Sequence, residues 1–251
     1  SLPEDEKTTD YFLGFLAGER TVEKSDIIDF ELNTLCGEEP GSVGVNDTMI
    51  SSPRIDNQSS CRALLDAIED GNRADGINII ALFDHEEIGS NSKQGAASIM
   101  LHDMLRRILR NMDLSENEID ESIYDAMLLS VDVAHALHPN KKEKMDITNM
   151  PVMGKGFCIK QACSQSYATD AQAIAILCQL CDEKGIPYQR FVNRSDSRGG
   201  STLGSIAGTL LPVKTVDIGI PILAMHSACE LMGVRDMKAL SDCVTAFFGY
   251  H

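Results

Sequence analysis

The 251-residue chain is poor in positive charge. Its 22 lysines and arginines stand against 38 aspartates and glutamates, which gives a formal net charge of −16. A surface of this charge repels phosphate backbones and anionic lipid, so we expect neither nucleic acid nor a membrane as a partner. No apolar run approaches the roughly 20 residues of a membrane-spanning helix. The first residues, SLPEDEKTTD, contain neither the basic nor the apolar part of a signal peptide.

The eight cysteines lack the paired spacing of a disulfide scaffold, and a chain of this length does not need one. They therefore predict reduced thiols and a cytoplasmic protein. Cys178 and Cys181 form a CxxC pair within an apolar helical pattern, with no second CxxC or nearby histidine to complete a zinc site. We interpret both as ordinary helix positions.

Helical and strand-like patterns alternate from residue 56 onward, and no internal repeat is visible. The alternation predicts an α/β fold with a largely buried sheet. The predicted strands are 77–83 (INIIALF), 126–131 (AMLLSV), 156–160 (GFCIK), 188–192 (YQRFV) and 216–220 (VDIGI). The predicted helices are 61–69, 96–109, 171–183 and 236–247.

Residues 1 to about 45 have a different character. An amphipathic stretch at 11–17 precedes a strand-like IIDFEL segment at 27–32 and the glycine- and proline-containing CGEEPGSVG at 36–44. This order predicts the end of a separate module followed by a linker.

Polar side chains follow two of the predicted strands, at the edge of the sheet where ligands bind in open α/β folds. They are Asp84, His85, Glu86 and Glu87 after the first strand, and Asp132, His135 and His138 after the second. Asp56 lies just before a predicted helix, and His226 follows the VDIGIPILAM segment.

Each of these residues also has a purely structural interpretation. Asp56 is a possible helix N-cap, Asp84 and His85 are possible turn formers, and Glu86 with Glu87 is a possible solvated bend. A single histidine such as His135 or His138 is more often a satisfied polar group than a ligand. His102 and His251 are interpreted as non-functional. Together, however, Asp56, Glu87, Asp132 and His226 are an oxygen-rich set with one imidazole, which suits a divalent transition metal. Glu86, beside a ligand, is placed to activate a bound water.

At these residues the sequence resembles the aspartyl aminopeptidase family, a branch of the two-metal exopeptidases. The segments that carry the resemblance are SPRIDNQSS, FDHEEIGS, SVDVAHALHPN, KGFCIKQACSQSYATDA, NRSDSRGGSTLGSI and VDIGIPILAMHSACE, in that order, within residues 45–235. The resemblance implies a mixed sheet flanked by helices. It also implies that residues 1–43 are the end of an inserted dimerisation or lid domain, and that 44–251 form the catalytic domain without its N-terminal piece.

The same resemblance implies a site with two zinc ions, for which Mn²⁺ or Co²⁺ are possible substitutes. Asp56 would bridge the ions, Glu87 and His226 would complete one of them, Asp132 would be a terminal ligand of the other, and Glu86 would be the general base. The family's second metal also takes a histidine from an N-terminal segment, and no residue here matches it. We therefore expect the isolated chain to have little activity.

By resemblance, the substrate is a peptide with an acidic N-terminal residue, and the enzyme is a large homo-oligomer. Lys160 would face the acidic side chain, and the other predicted substrate contacts are His135, His138, Gly200 and Ser201. Without the resemblance, Lys160 is a solvated charge and the GGSTLGSI glycines form a tight turn. The alternatives are a two-metal peptidase of other specificity and a non-catalytic or inactive truncated chain.

Overall fold

The computed structural model describes residues 8–71, 73–197 and 199–250 of the chain. The chain divides into two units between Gly37 and Glu38. In the first unit, helix α1 (Thr8–Arg20) contains the predicted amphipathic stretch, and a short 3-10 helix follows at Lys24–Asp26. The strand-like segment 27–32 is not a strand, since it takes part in no described ladder. The interpretation of residues 1–43 as the end of an inserted domain stays a prediction.

A mixed seven-stranded sheet forms the centre of the second unit. Its strands are β1 (Gly41–Val43), β2 (Met49–Ser52), β3 (Met127–His135), β4 (Phe157–Gln161), β5 (Tyr188–Val192), β6 (Lys214–Leu223) and β7 (Glu230–Gly233). Strand β6 pairs with β3 along one edge, and with β4 and β7 along the other. The β3–β6 and β4–β5 pairs are parallel, and the remaining pairs are antiparallel. The predicted mixed α/β fold is confirmed.

Helices cover both faces of this sheet. They are α2 (Ile55–Asp70), α3 (Met100–Arg110), α4 (Glu116–Asp125), α5 (Ala171–Lys184), α6 (Leu203–Leu210) and α7 (Val234–Phe248). Helix α5 begins after Asp170, whose side chain accepts hydrogen bonds from two backbone N–H groups of the first turn. The described helices are all too short or too polar to cross a bilayer.

Alternation along the strands decides which residues face the site. Val131 and Val133 of β3 join the main core with α2, α5 and α7, whereas Ala134 packs on the opposite face. Because successive side chains of a strand point to opposite faces, Asp132 lies on the same face as Ala134. Lys160 of β4 reaches this face as well, since it contacts Asp132.

The predicted strand at 77–83 is wrong, and two predicted helices begin at other positions. Residues 77–83 form no strand, because no described segment makes a ladder with them. Helix α2 begins at Ile55 rather than 61, and α3 begins at Met100 rather than 96. The other four predicted strands and the helices at 171–183 and 236–247 are confirmed to within a few residues.

Candidate metal centre

Three of the predicted ligands converge on one point. Nε2 of His226 lies 3.2 Å from Oδ2 of Asp56 and 3.0 Å from Oε2 of Glu87. One ligand atom from each residue lies within 4.8 Å of the other two. One imidazole nitrogen and two carboxylate oxygens match the protein ligands of a catalytic zinc site, which keeps a fourth position for water or substrate.

Asp56 enters the site from the kinked first turn of α2. Its backbone is extended rather than helical, and the Asp56–Asn57 peptide bond is cis. Since its side chain contacts Glu87 and His226, Asp56 is not the helix N-cap that was the structural alternative. Asn57 donates from Nδ2 to the carbonyl of Val131 at 3.0 Å, and Ser60 donates from Oγ to the carbonyl of Asp132 at 3.1 Å. These bonds fix the start of α2 against β3.

Glu86 and Glu87 lie on a tight turn, the 3-10 helix Glu86–Ile88. His85 precedes it in the left-handed region, with φ 60°, and Gly89 follows with φ 100°. The ring of His85 is held by Ser92, at 2.9 Å from Nδ1 to Oγ. The turn therefore places Glu87 next to His226 and leaves Glu86 on the wall of the same cavity.

The carboxylates of the site crowd one another. Burial, followed by the charges of Asp132, Glu87 and Glu230, raises the pKa of Asp56 to about 8. Burial and the charges of Asp132 and Glu87 raise the pKa of Glu86 to about 7. Like charges at this density favour a bound cation between them, so the donor set and its electrostatics both fit a divalent metal.

Asp132 and Lys160 form a buried ion pair beside the three converging ligands. Nζ of Lys160 lies 3.0 Å from Oδ2 of Asp132, donates to the carbonyl of Val133 at 2.7 Å, and lies 4.6 Å from the centre of the Tyr167 ring. Burial alone would lower the pKa of Lys160, but Asp132, Tyr167 and Asp217 together raise it. Lys160 is therefore a buried cation and not a solvated surface charge.

A cavity of about 340 Å³ joins most of the predicted site residues. It is lined by Asp56, Glu86, Glu87, Asp132, His135, Lys160, Gly200, Ser201 and His226, together with Tyr167. Desolvation by the cavity walls, with the charges of Lys160 and His226, lowers the pKa of His135, so its ring is neutral at neutral pH.

His138 does not line this cavity. It lies in an adjoining cavity of about 820 Å³ that shares His135 and Gly200, and its Nδ1 accepts from the backbone N–H of Asn140 at 3.2 Å. His102 lies on α3 beside Asp103, and neither cavity includes it. His251 lies outside the described residues.

Comparison with known proteins decides the family. The profile of the M18 family, described as aminopeptidase I zinc metalloprotease, matches residues 2–248. The chain belongs to this family. The resemblance found in its sequence segments is thereby confirmed at the level of the family.

Curated M18 relatives are similar along nearly the whole chain. A protein of Clostridium novyi named "Probable M18 family aminopeptidase 2" is 42% identical over 227 residues, which are 90% of this chain and 52% of that protein. A protein of Ricinus communis named "Probable aspartyl aminopeptidase" is 37% identical over 244 residues, which are 94% of this chain and 50% of that protein. The M18 chain thus spans about half the length of these relatives.

Solved structures with the same fold include the following two. One chain of the cryo-EM structure of the Ape4 and Nbr1 complex is 32% identical, with a TM-score of 0.85 over 97% of this chain and 50% of that one. The crystal structure of an M18-family aminopeptidase from Thermotoga maritima is 23% identical, with a TM-score of 0.86 over 99% and 57% of the two chains. The latter likeness supports the fold alone.

One residue of this M18 site has no counterpart among the sequence-based predictions. Glu230 contacts the backbones of both Asp56 and His226. The sequence contained one indication of this role. Glu230 lies four residues after His226 in HSACE and directly before the apolar LMGV. A carboxylate at the start of a buried strand needs a partner, and this one finds two backbone donors.

Proposed function

We propose that the protein containing this M18 chain is a zinc aminopeptidase that removes acidic residues from the N-termini of peptides. The observation that carries the proposal is the convergence of Asp56, Glu87 and His226 within 4.8 Å, in a cavity that also contains Glu86. A nitrogen and oxygen donor set next to a second carboxylate is the arrangement of zinc peptidases that hydrolyse an amide bond with water.

The chain's own residues would divide the work as follows. Asp56, Glu87 and His226 would hold a zinc ion, and Asp56 and Asp132 would contribute to holding a second one. Bound zinc would supply a Lewis acid for the scissile carbonyl and lower the pKa of water towards neutrality.

Glu86 would take the proton of the attacking water and deliver it to the leaving amine. Its carboxylate lines the same cavity as the three ligands, and a general base must lie within reach of the proton that it takes. His135, neutral and on the cavity wall, would donate a hydrogen bond to the oxyanion that develops on the carbonyl.

Preference for acidic N-terminal residues is supported by the cation at the cavity wall. Lys160 lines the cavity and, although paired with Asp132, supplies positive charge where the chain as a whole is strongly negative. An ammonium in a site with little water attracts a substrate carboxylate more strongly than a solvated one does. The name of the Ricinus communis relative is consistent with this specificity.

A substitution of the base tests the proposal. In the full-length protein, Glu86→Gln should reduce hydrolysis of an Asp-dipeptide by at least about a hundredfold, because the amide keeps the shape of Glu86 but cannot take the proton. Zinc content should stay unchanged, since Glu86 is not one of the three converging groups. Glu121→Gln, the same change on the exposed helix α4, is the matched control.

Parallel assays on Asp-, Glu-, Leu- and Lys-dipeptides test the specificity. Faster cleavage of the two acidic substrates is the expected result. Normal turnover by the Glu86→Gln variant would show that another residue is the general base. Absence of turnover by the unaltered, zinc-loaded, full-length protein would favour a non-catalytic role.

A further inference from the structure

Glu230 is a buried carboxylate whose two oxygens accept hydrogen bonds from two different segments of the chain. Oε2 accepts from the backbone N–H of Asp56 at 2.8 Å, and Oε1 accepts from the backbone N–H of His226 at 2.6 Å. Only 1% of Glu230 is exposed. One side chain therefore joins the backbones of two residues whose own side chains converge on the candidate metal centre.

We propose that Glu230 is a positioning residue that holds the Asp56 and His226 backbones at the separation a bound metal ion requires. The inference rests on the proposed function, because it takes Asp56 and His226 as metal ligands. It concerns affinity and geometry rather than a chemical step, since Glu230 is not among the residues that line the cavity.

The sheet puts Glu230 next to both ligand-bearing segments. In the β2–β7 ladder Glu230 is opposite Ser52, and the chain continues from Ser52 into the turn that begins α2 and carries Asp56. In the β6–β7 ladder Leu231 is opposite Leu223, and the connection between these strands carries His226. Strand β7 thus lies between the two segments, with Glu230 at its first position.

Both ligands need such support, because neither lies in regular structure. Asp56 has a non-helical backbone within the kinked first turn of α2, and His226 has φ 64° in the turn after β6. A carboxylate that accepts two backbone N–H groups makes charge-assisted bonds, which are about twice as strong as neutral ones. The pair of bonds therefore restrains both segments directly at the two ligand residues.

No cationic side chain among the described residues balances the carboxylate of Glu230. Among the described residues, no lysine, arginine or histidine side chain lies within ion-pair distance of it. Burying a carboxylate without a cationic side chain beside it costs free energy. Proteins often retain such a carboxylate where it orients the ligands of a metal ion. A cation between Asp56 and His226 would offset this charge.

The test compares zinc affinity among three proteins: the unaltered chain, Glu230→Gln and Glu230→Asp. Glutamine has one acceptor oxygen, and its NH₂ group would meet an N–H donor, so one backbone would lose its partner. Aspartate keeps the charge but is one methylene shorter, so it cannot reach both backbones. We expect the zinc dissociation constant to rise about 10- to 100-fold in both variants, as measured by competition with a chelator. Glu121→Gln, on exposed α4, should leave it unchanged.

Thermal unfolding of each metal-free protein separates positioning from a purely structural role. The proposal requires the loss of zinc affinity in a variant that is still folded at the assay temperature. Unaltered zinc affinity in a folded Glu230→Gln or Glu230→Asp protein would overturn the proposal. This includes the case in which only the Glu230→Asp variant keeps its affinity, because the negative charge would then be sufficient without the two hydrogen bonds. If the unaltered chain failed to bind zinc, the proposed function would fail instead, which distinguishes the two results.

Discussion

At the scale of single residues, Lys160 has two tasks that are separable by experiment. It faces the cavity in which a substrate would bind, and it also holds Asp132 through a 3.0 Å contact in a buried environment. A role in specificity acts on acidic substrates only, whereas a role through Asp132 acts on every substrate.

Lys160→Met in the full-length protein should therefore reduce kcat/KM for Asp- and Glu-substrates more than for Ala- and Leu-substrates. We expect about 10- to 100-fold extra discrimination, because a charge-assisted contact with little water contributes a few kcal/mol. Methionine retains the apolar stem in a site that is only 3% exposed. Lys184→Met, at an exposed position in the last turn of α5, is the control. Equal losses on all four substrates would show that Lys160 acts only by holding Asp132 and not by contacting the acidic side chain of the substrate.

The candidate site was predictable from sequence where its polar residues directly follow an apolar segment or precede a predicted helix. Glu86 and Glu87 adjoin an apolar segment, and Asp132 extends a strand that the sequence predicts well. Glu230 was not found, because its hydrogen bond to Asp56 joins residues 174 positions apart. Such a contact depends on the strand order β2–β7–β6, and a pattern of apolar residues does not determine strand order.

At the scale of elements, helix α6 forms one wall of the site through a very close approach to the sheet. A Cβ atom built at Gly204 would lie 2.5 Å from Cβ of Ser130 and 2.7 Å from Oδ1 of Asp217. Asp217 is itself engaged, since it accepts from Ser130 Oγ and from the backbone N–H of Ala168. The helix therefore needs glycine where it crosses β3 and β6.

Gly204→Ala should destabilise the fold by about 1–3 kcal/mol, the usual cost of overpacking a site that cannot relax. Gly208 lies in the same helix, but a Cβ there would be 3.8 Å from its nearest neighbour. Gly208→Ala should be neutral or stabilising by up to about 1 kcal/mol, because alanine favours helix. Chemical denaturation of the two variants measures the difference. Equal midpoints would show that α6 can move away from β3.

At the scale of the whole molecule, residues 77–83 and the edge of β3 opposite β6 both lack a strand partner among the described residues. The sequence INIIALF has the composition of a buried strand, yet Ile77, Ile79 and Leu82 are exposed. Strand β3 pairs only with β6 among the described residues, so its other edge offers unpaired backbone groups. A strand needs a neighbour, and no described segment pairs with residues 77–83 or with this edge of β3.

An open edge next to exposed isoleucine and leucine side chains favours association. Self-association of the 251-residue polypeptide is thus the expected behaviour at high concentration. A strand from the part of the family fold that the polypeptide does not span would suit the same edge. Sequence periodicity could identify the segment as strand-like, but it could not show which chain segment pairs with it.

Metal content can be predicted from the ligands that the described residues supply. The group Asp56, Glu87 and His226 is the one set of three converging donors among the described residues, whereas Asp132 has Lys160 as its partner. We therefore expect the 251-residue polypeptide alone to hold at most about one zinc ion tightly and to cleave Asp-peptides poorly, because a second ion would have two carboxylates and no imidazole. Adding the remaining part of the fold, for instance from the Clostridium novyi relative, should raise the zinc content to about two per chain and restore turnover. Zinc measured against intact mass, before and after this addition, is the decisive experiment. Two tightly bound ions with full activity in the polypeptide alone would contradict the prediction, since another of its own residues would then complete the second site.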